Sequence, residues 1–347
     1  MNPKVEEWTD FAWQGVRLRV PEVWNLGKVD GDRSSGYARL DDAEIVRLEV
    51  EWRQVPGKGR GVGITQLVDR YLSKLEKKAQ KADVGFTVKR RAKFLKDKSW
   101  LEGSDYETFV WEADYKAYNL ARACGECGRI VLLRVLARKN ENGMEELAGD
   151  IFRTLDDHSH DGILLWSVYG LNFEMSDEYK LEKHDLKSGN IQLTFEKKNH
   201  VCRIQRLSMA QMLLKGTTLD EWYPNFFKKQ LKDFDFDITE GVSVARGHEG
   251  LRVAGRPKSR WRQVLRPLPL VNTRPRQYLD GLVWHCPEEN KICIAEHLHR
   301  KKDEVEGGLT NLLNERYACH EEAKTESGGD AGLEAGAQRP GQLGKER

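Results

Sequence analysis

The sequence predicts an α+β fold built twice in tandem, each copy an antiparallel sheet flanked by helices. Residues 1–160 form the first copy, residues 161–323 the second, and residues 324–347 a disordered tail. Three observations predict this. Strand-like alternation opens both halves, the same order of elements follows in each, and residues 118–158 align without a gap to residues 280–320. Nine of those 41 positions are identical, including Cys124/Cys286, Glu126/Glu288, Ile130/Ile292, Arg138/Arg300, Leu147/Leu309 and His158/His320. A fifth identity is weak by itself, but its agreement with the element order upstream points to duplication.

The elements follow in order. In GVRLRVPEVWNL (15–26), Val16, Leu18 and Val20 alternate with polar residues, and in GLNFEMSDEYKL (170–181) Leu171, Phe173 and Met175 do the same. That period of two marks a half-buried strand. An aromatic and a leucine recur behind each turn, as Trp24 with Leu26 and Tyr179 with Leu181. A helix comes next in both halves, from Thr65 (TQLVDRYLSKLEKK) and from Thr217 (TTLDEWYPNFFKKQ), each threonine serving as a reasonable N-cap. Leu67, Tyr71 and Leu75 share one helical face, and Leu219, Tyr223 and Phe227 repeat it. Pro224 costs about 3 kcal/mol deep in a helix, so the second helix starts late, near Tyr223, or is kinked there. Each half then has a hairpin, ending in RIVLLRVLAR or KICIAEHLHR, and a closing helix. Leu147, Ile151 and Leu155 stripe one closing helix; Leu309, Leu313 and Tyr317 stripe the other. The polar run DDHSHDG at 156–162 separates the copies. The terminal TESGGDAGLEAGAQRPGQLGKER holds too few large apolar residues to offset the entropy of ordering.

The strand–Pro–x–x–Trp opening, Val20-Pro21-Glu22-Val23-Trp24, combined with this element order, resembles the PsbP-like and DcrB-like superfamily, which includes a Ran-binding nuclear-import factor. The resemblance covers most of residues 8–158 and, more faintly, 164–320, where the proline is lacking and Tyr179 replaces the tryptophan. It implies an antiparallel sheet flanked by helices, and roles in binding, assembly or chaperoning rather than catalysis. It supplies no catalytic residues.

Composition narrows the function. The chain has 347 residues, 39% of them hydrophobic and 32% charged, and a net charge of +2, so no global field commits it to nucleic acid or membrane. No apolar run approaches the length of a membrane span. The opening MNPKVEEWTDFAW shows no secretory leader, so the expectation is a cytoplasmic protein with six reduced cysteines. No Ser-His-Asp order, His-Glu-x-x-His or paired-carboxylate motif stands out, so the expectation is a non-enzymatic scaffold or chaperone-like protein acting on a protein partner.

Three stretches carry chemistry. In CGECGR, Cys124 and Cys127 have the spacing of half a zinc site, and the glycines permit a tight knuckle. No second CxxC exists to supply the other two ligands; His158 and His160 are the nearest candidates. The aligned CPEENK (286–291) is a hairpin turn with no second cysteine. A plain hairpin turn without cofactor is therefore expected, with zinc or redox chemistry as the alternatives. The loop PGKGRGVGIT (56–65) sets glycines and cations before a helix, where an anion could sit, but it has no P-loop spacing. Residues 250–279 hold Arg252, Arg256, Lys258, Arg260, Arg262, Arg266, Arg274 and Arg276, with Trp261 among them and no acidic residue. Such a segment suits an acidic partner or, alternatively, nucleic acid, where arginines meet phosphates and the aromatic stacks on a base. The first-half counterpart carries Asp105, Glu107, Glu112 and Asp114 instead.

Overall fold

Alternation decides the opening hairpin. β1 (Trp8–Trp13) and β2 (Val16–Pro21) pair antiparallel, and β2 buries Val16, Leu18 and Val20 while exposing Arg17 and Arg19. The structure, a computed structural model, describes residues 7–55, 63–159, 161–258, 277–300 and 316–320. After the opening hairpin the first half continues through β3 (Asn25–Gly31), β4 (Ser35–Asp41), β5 (Val46–Gln54), α1 (Ile64–Lys81) and β6 (Thr87–Arg90). A 3-10 turn (Ser99–Leu101) leads to β7 (Asp105–Glu112), β8 (Tyr115–Ala123), β9 (Arg129–Arg138) and α2 (Met144–Arg153). Seven of these strands form one antiparallel sheet in the order β3-β4-β5-β9-β8-β7-β6.

The second half runs through the same order. β10 (Ile163–Val168) and β11 (Leu171–Ser176) form its opening hairpin, followed by β12 (Lys180–Lys187), β13 (Asn190–Lys197) and β14 (His200–Ser208). Three short helices, α3 (Ala210–Leu213), α4 (Leu219–Phe226) and α5 (Lys228–Leu231), stand where the first half has α1. β15 (Phe234–Ser243), a 3-10 turn (Ala245–Gly247), β16 (Glu249–Pro257), β17 (Tyr278–Cys286) and β18 (Lys291–His299) complete a sheet in the order β12-β13-β14-β18-β17-β16-β15, position for position that of the first half. β19 (Tyr317–Ala318) follows.

The two opening hairpins join each other rather than their own sheets. A third antiparallel sheet has the order β19-β11-β10-β1-β2, with Ala12 of β1 opposite Ser167 of β10. One continuous core unites Trp13, Val16 and Leu18 of this shared sheet with Leu40, Val50 and Val131 of the first large sheet and Leu193, Phe195 and Ile204 of the second. The outer faces are covered separately: α1 packs on Phe109, Ala121 and Leu132, and α4 and α5 pack on Leu251, Val253 and Ile294.

The expected α+β class is therefore wrong. Strand makes up 52% of the described residues and helix 19%, so sheet-on-sheet packing, not a sheet flanked by helices, forms the central layers. Three details also differ from expectation. α1 begins at Ile64 with Gly63, not Thr65, at the cap, and its most buried stripe is Ile64, Val68 and Leu72, one residue over from the expected face. α4 begins at Leu219, ahead of Pro224, and the proline's missing N–H and ring bulk accompany a break after Phe226 rather than a late start. Tyr317 lies in β19 opposite Phe173, not on a helix, whereas Leu309 and Leu313 fall outside the described residues. In the first half α2 does bury Leu147 and Ile151. Among the described residues no helix is long and apolar enough to cross a membrane.

Candidate metal centre

The CGECGR stretch is the mouth of the β8–β9 hairpin. The Cys124 amide donates to Arg129 O (2.9 Å), and the Gly128 amide donates to Cys124 O (3.0 Å). Gly128 has φ +72°, and a side-chain carbon on Gly125 would lie 2.1 Å from Gly103 O, so both glycines are required by the turn. This geometry turns Cys124 and Cys127 toward the segment that leaves α2. That segment is held by two further ties. Arg17 and Asp156 exchange backbone hydrogen bonds (2.7 and 3.0 Å), and the buried Arg129 guanidinium donates to Asp157 O (2.8 Å), Gln14 O (3.2 Å) and Arg33 O (2.8 Å).

The result is a four-donor cluster. Cys124, Cys127, Asp157 and His158 each offer one ligand atom, all within 4.8 Å of one another. Cys124 Sγ lies 3.7 Å from His158 Nδ1. Tetrahedral zinc, with bonds of about 2.0–2.3 Å, holds its ligand atoms roughly 3.3–3.8 Å apart, and the Cys124–His158 separation falls in that range. Asp157 is 1% exposed, and its Oδ2 has no hydrogen-bond partner among the described residues. A buried carboxylate oxygen left unpartnered is costly, and a cation would satisfy it. Its other oxygen accepts from His158 Nδ1 (2.8 Å) and faces Arg122 Nη1 (3.6 Å). His158 Nε2 meets Glu126 Oε2 at 3.1 Å.

The electrostatics favour an anionic Cys124 beside a protonated Cys127. The hydrogen bond from Cys127 brings the Cys124 thiol down to about 6, while the same bond raises Cys127. The pair thus shares one proton between two sulfurs, which a metal ion would replace. Burial opposes charge on His158, but the hydrogen bond and charge of Asp157 outweigh it and raise its pKa.

The structure thus brings Cys124 and Cys127 together with His158, and adds Asp157, which sequence reasoning missed because a carboxylate in DDHSHDG carries no spacing signal. His160 lies outside the described residues.

The other candidates are not gathered into a site. Arg252 Nε lies 3.2 Å from the buried Asp280, exposed Arg256 lies 3.2 Å from Asp237, and Lys258 Nζ donates to Lys232 O (2.8 Å). Arg260, Trp261, Arg262 and Arg266 lie outside the described residues, as does most of the glycine-rich loop. The anion expected before α1 has a resident substitute: Asp105 Oδ2 accepts the Ile64 amide (3.1 Å). Glu107 is held by Arg90, so the acidic stretch is engaged within its own half. No family model and no curated protein matches the chain.

Proposed function

We propose that the chain is a non-enzymatic binding scaffold of duplicated origin, stapled by zinc at Cys124, Cys127, Asp157 and His158. The observation that carries this is the convergence of four donors from two segments about thirty residues apart on one point, with Asp157 Oδ2 buried and unpartnered. Thiolate and imidazole ligands gathered this closely suit zinc. Four protein ligands fill its coordination, which is the pattern of structural rather than catalytic sites. The ion would tie the β8–β9 hairpin to the segment after α2, and so the first large sheet to the shared one.

The scaffold reading of a protein partner is kept, with the exposed part of the basic segment at Arg256 and Lys258 as its contact. The carboxylates facing Arg252 and Arg256 reduce the free positive charge that nucleic acid would need. The test of the metal reading is elemental analysis of the purified chain with melting in the presence of a chelator. Cys124→Ser is expected to lower bound zinc by one ion per chain, and chelation to lower the melting temperature. Unchanged metal content in Cys124→Ser overturns the reading.

A further inference from the structure

A second set of metal-binding side chains gathers at the matching point of the second half. His248 follows the 3-10 turn Ala245–Gly247 and precedes β16, Cys286 ends β17, and Cys319 and His320 follow β19. Their ligand atoms all lie within 4.8 Å of one another. Cys286 Sγ is 3.6 Å and Cys319 Sγ 3.4 Å from His320 Nδ1, and the rings of His248 and His320 are 5.2 Å apart. Both cysteines are buried, and His248 Nε2 is buried without a hydrogen-bond partner among the described residues, its nearest carboxylate being Glu288 at 3.7 Å.

We infer that His248, Cys286, Cys319 and His320 hold a second zinc ion, at the place in the second half that Cys124, Cys127, Asp157 and His158 occupy in the first. The inference rests in part on the zinc reading of the first centre, and in part on the second cluster's own geometry.

The two halves keep and exchange donors in a way that incidental packing does not require. Cys124 corresponds to Cys286 and His158 to His320 in the ungapped alignment, and these two ligands are kept. The other two are exchanged. Asp157 corresponds to Cys319, one donor for another. Cys127 corresponds to Glu289, which is not in the cluster, yet the fourth donor reappears as His248 from a different strand connection. Strand register places His248 opposite the first half's Ser104, because Gly250 pairs Trp284 as Tyr106 pairs Arg122. Loss of one ligand on the hairpin is thus offset by gain of another two strands' connection away, at the same point in space. Packing alone asks for neither change.

The surroundings follow the ligand charge. Two thiolates, a carboxylate and a neutral imidazole give the first centre a net charge of −1 around a divalent ion, and the Arg122 and Arg129 guanidinium groups lie beside it. Two thiolates and two imidazoles leave the second centre neutral, and there Trp284 replaces Arg122 and Lys291 replaces Arg129. Trp284 packs edge-on against Tyr317 (4.9 Å) instead of reaching for a carboxylate. A buried arginine without an anionic partner would be costly, so the change from arginine to tryptophan matches the change from aspartate to cysteine.

The second ion would fasten the end of the described chain. β19 is two residues long and pairs with β11 only at Asn172↔Ala318 and Phe173↔Tyr317, too little to hold an edge strand by itself. In the first half the same position is the single bridge Arg17↔Asp156. Each centre would therefore clamp a short segment, Asp156–His158 in the first half and Tyr317–His320 in the second, to the mouth of a hairpin, and so fix one edge region of the shared sheet.

The test uses the full chain, stripped of metal and refolded with zinc alone or with cobalt as a spectroscopic substitute. Wild type is expected to hold two ions per chain, and Cys286→Ser and Cys124→Ser one each. Cys319→Asp keeps four donors and places at 319 the carboxylate that the first centre has at Asp157, so it should still bind two ions, with weaker thiolate-to-cobalt charge transfer. Loss of an ion from Cys286→Ser but not from Cys124→Ser supports the second centre while rejecting the first. Loss from Cys124→Ser alone, or unchanged charge transfer in Cys319→Asp, overturns the second.

Discussion

Trp166→Ala probes the seam between the halves. Trp166 is 2% exposed on β10, with its ring edge-on to Trp13 of the first half (5.4 Å) and to Phe195 of the second large sheet (4.8 Å). Truncating a buried tryptophan costs about 3–5 kcal/mol, and the lost edge-on ring pairs place this site toward the upper end. At ~2.1 cal/mol/K of unfolding entropy per residue, ~4 kcal/mol lowers the melting point of the whole described chain by roughly 7 °C if it unfolds as one unit. If only one half absorbed the loss, the shift would be about twice as large and confined to one of two transitions. The shared sheet and continuous core lead us to expect the first result: a single calorimetric transition, moved down by roughly 5–9 °C. Two separate transitions, with only one moved by Trp166→Ala, would refute the coupling of the halves through β1 and β10.

Two further predictions concern the second half. Glu296 is buried, accepts the Tyr223 hydroxyl (2.7 Å) and pairs with Arg203 (3.0 Å), so Glu296→Ala strands both partners and should cost about 2–3 kcal/mol in a denaturant titration; a loss below ~0.5 kcal/mol would show that the network contributes nothing. His297 lies under the ring of His200 (Nδ1 to Nε2, 3.0 Å) and beside His299, and burial, followed by the charges of His299 and His200, holds its pKa down at about 4. Because the folded value is below the unfolded value of 6.5, the unfolded chain takes up this proton first. Stability is complete above about pH 6.5 and falls by up to ~3 kcal/mol as pH drops toward 4. His297→Gln should flatten that part of the stability–pH curve, and an unchanged slope would remove His297 as its cause.

Alternation at Val16, Leu18 and Val20, and again at Leu171, Phe173 and Met175, was enough to identify the opening strands, because side-chain period is a local property of the backbone. The ungapped match likewise anticipated that Cys124 and Cys286 stand at equivalent hairpin mouths. Periodicity does not say which strand is the neighbour, however. That β1 finds β10 in the other half, and that the central layers are therefore sheet on sheet, depends on long-range pairing, and the helices weighed too heavily in the α+β expectation because they are conspicuous in sequence. The candidate metal centres divide in the same way. Cys124 and Cys127 advertise themselves by spacing, since a single turn carries both. Asp157, His158, His248, Cys319 and His320 join the clusters only because distant parts of the chain return to the same hairpin mouths. Sequence by itself determined the opening strands and the repeated order, and left Cys124 and Cys127 as a hairpin turn with zinc only an alternative; tertiary structure decided the shared sheet and the gathering of the other donors, because both require segments far apart in the chain to meet, and no local pattern of residues encodes the meeting point.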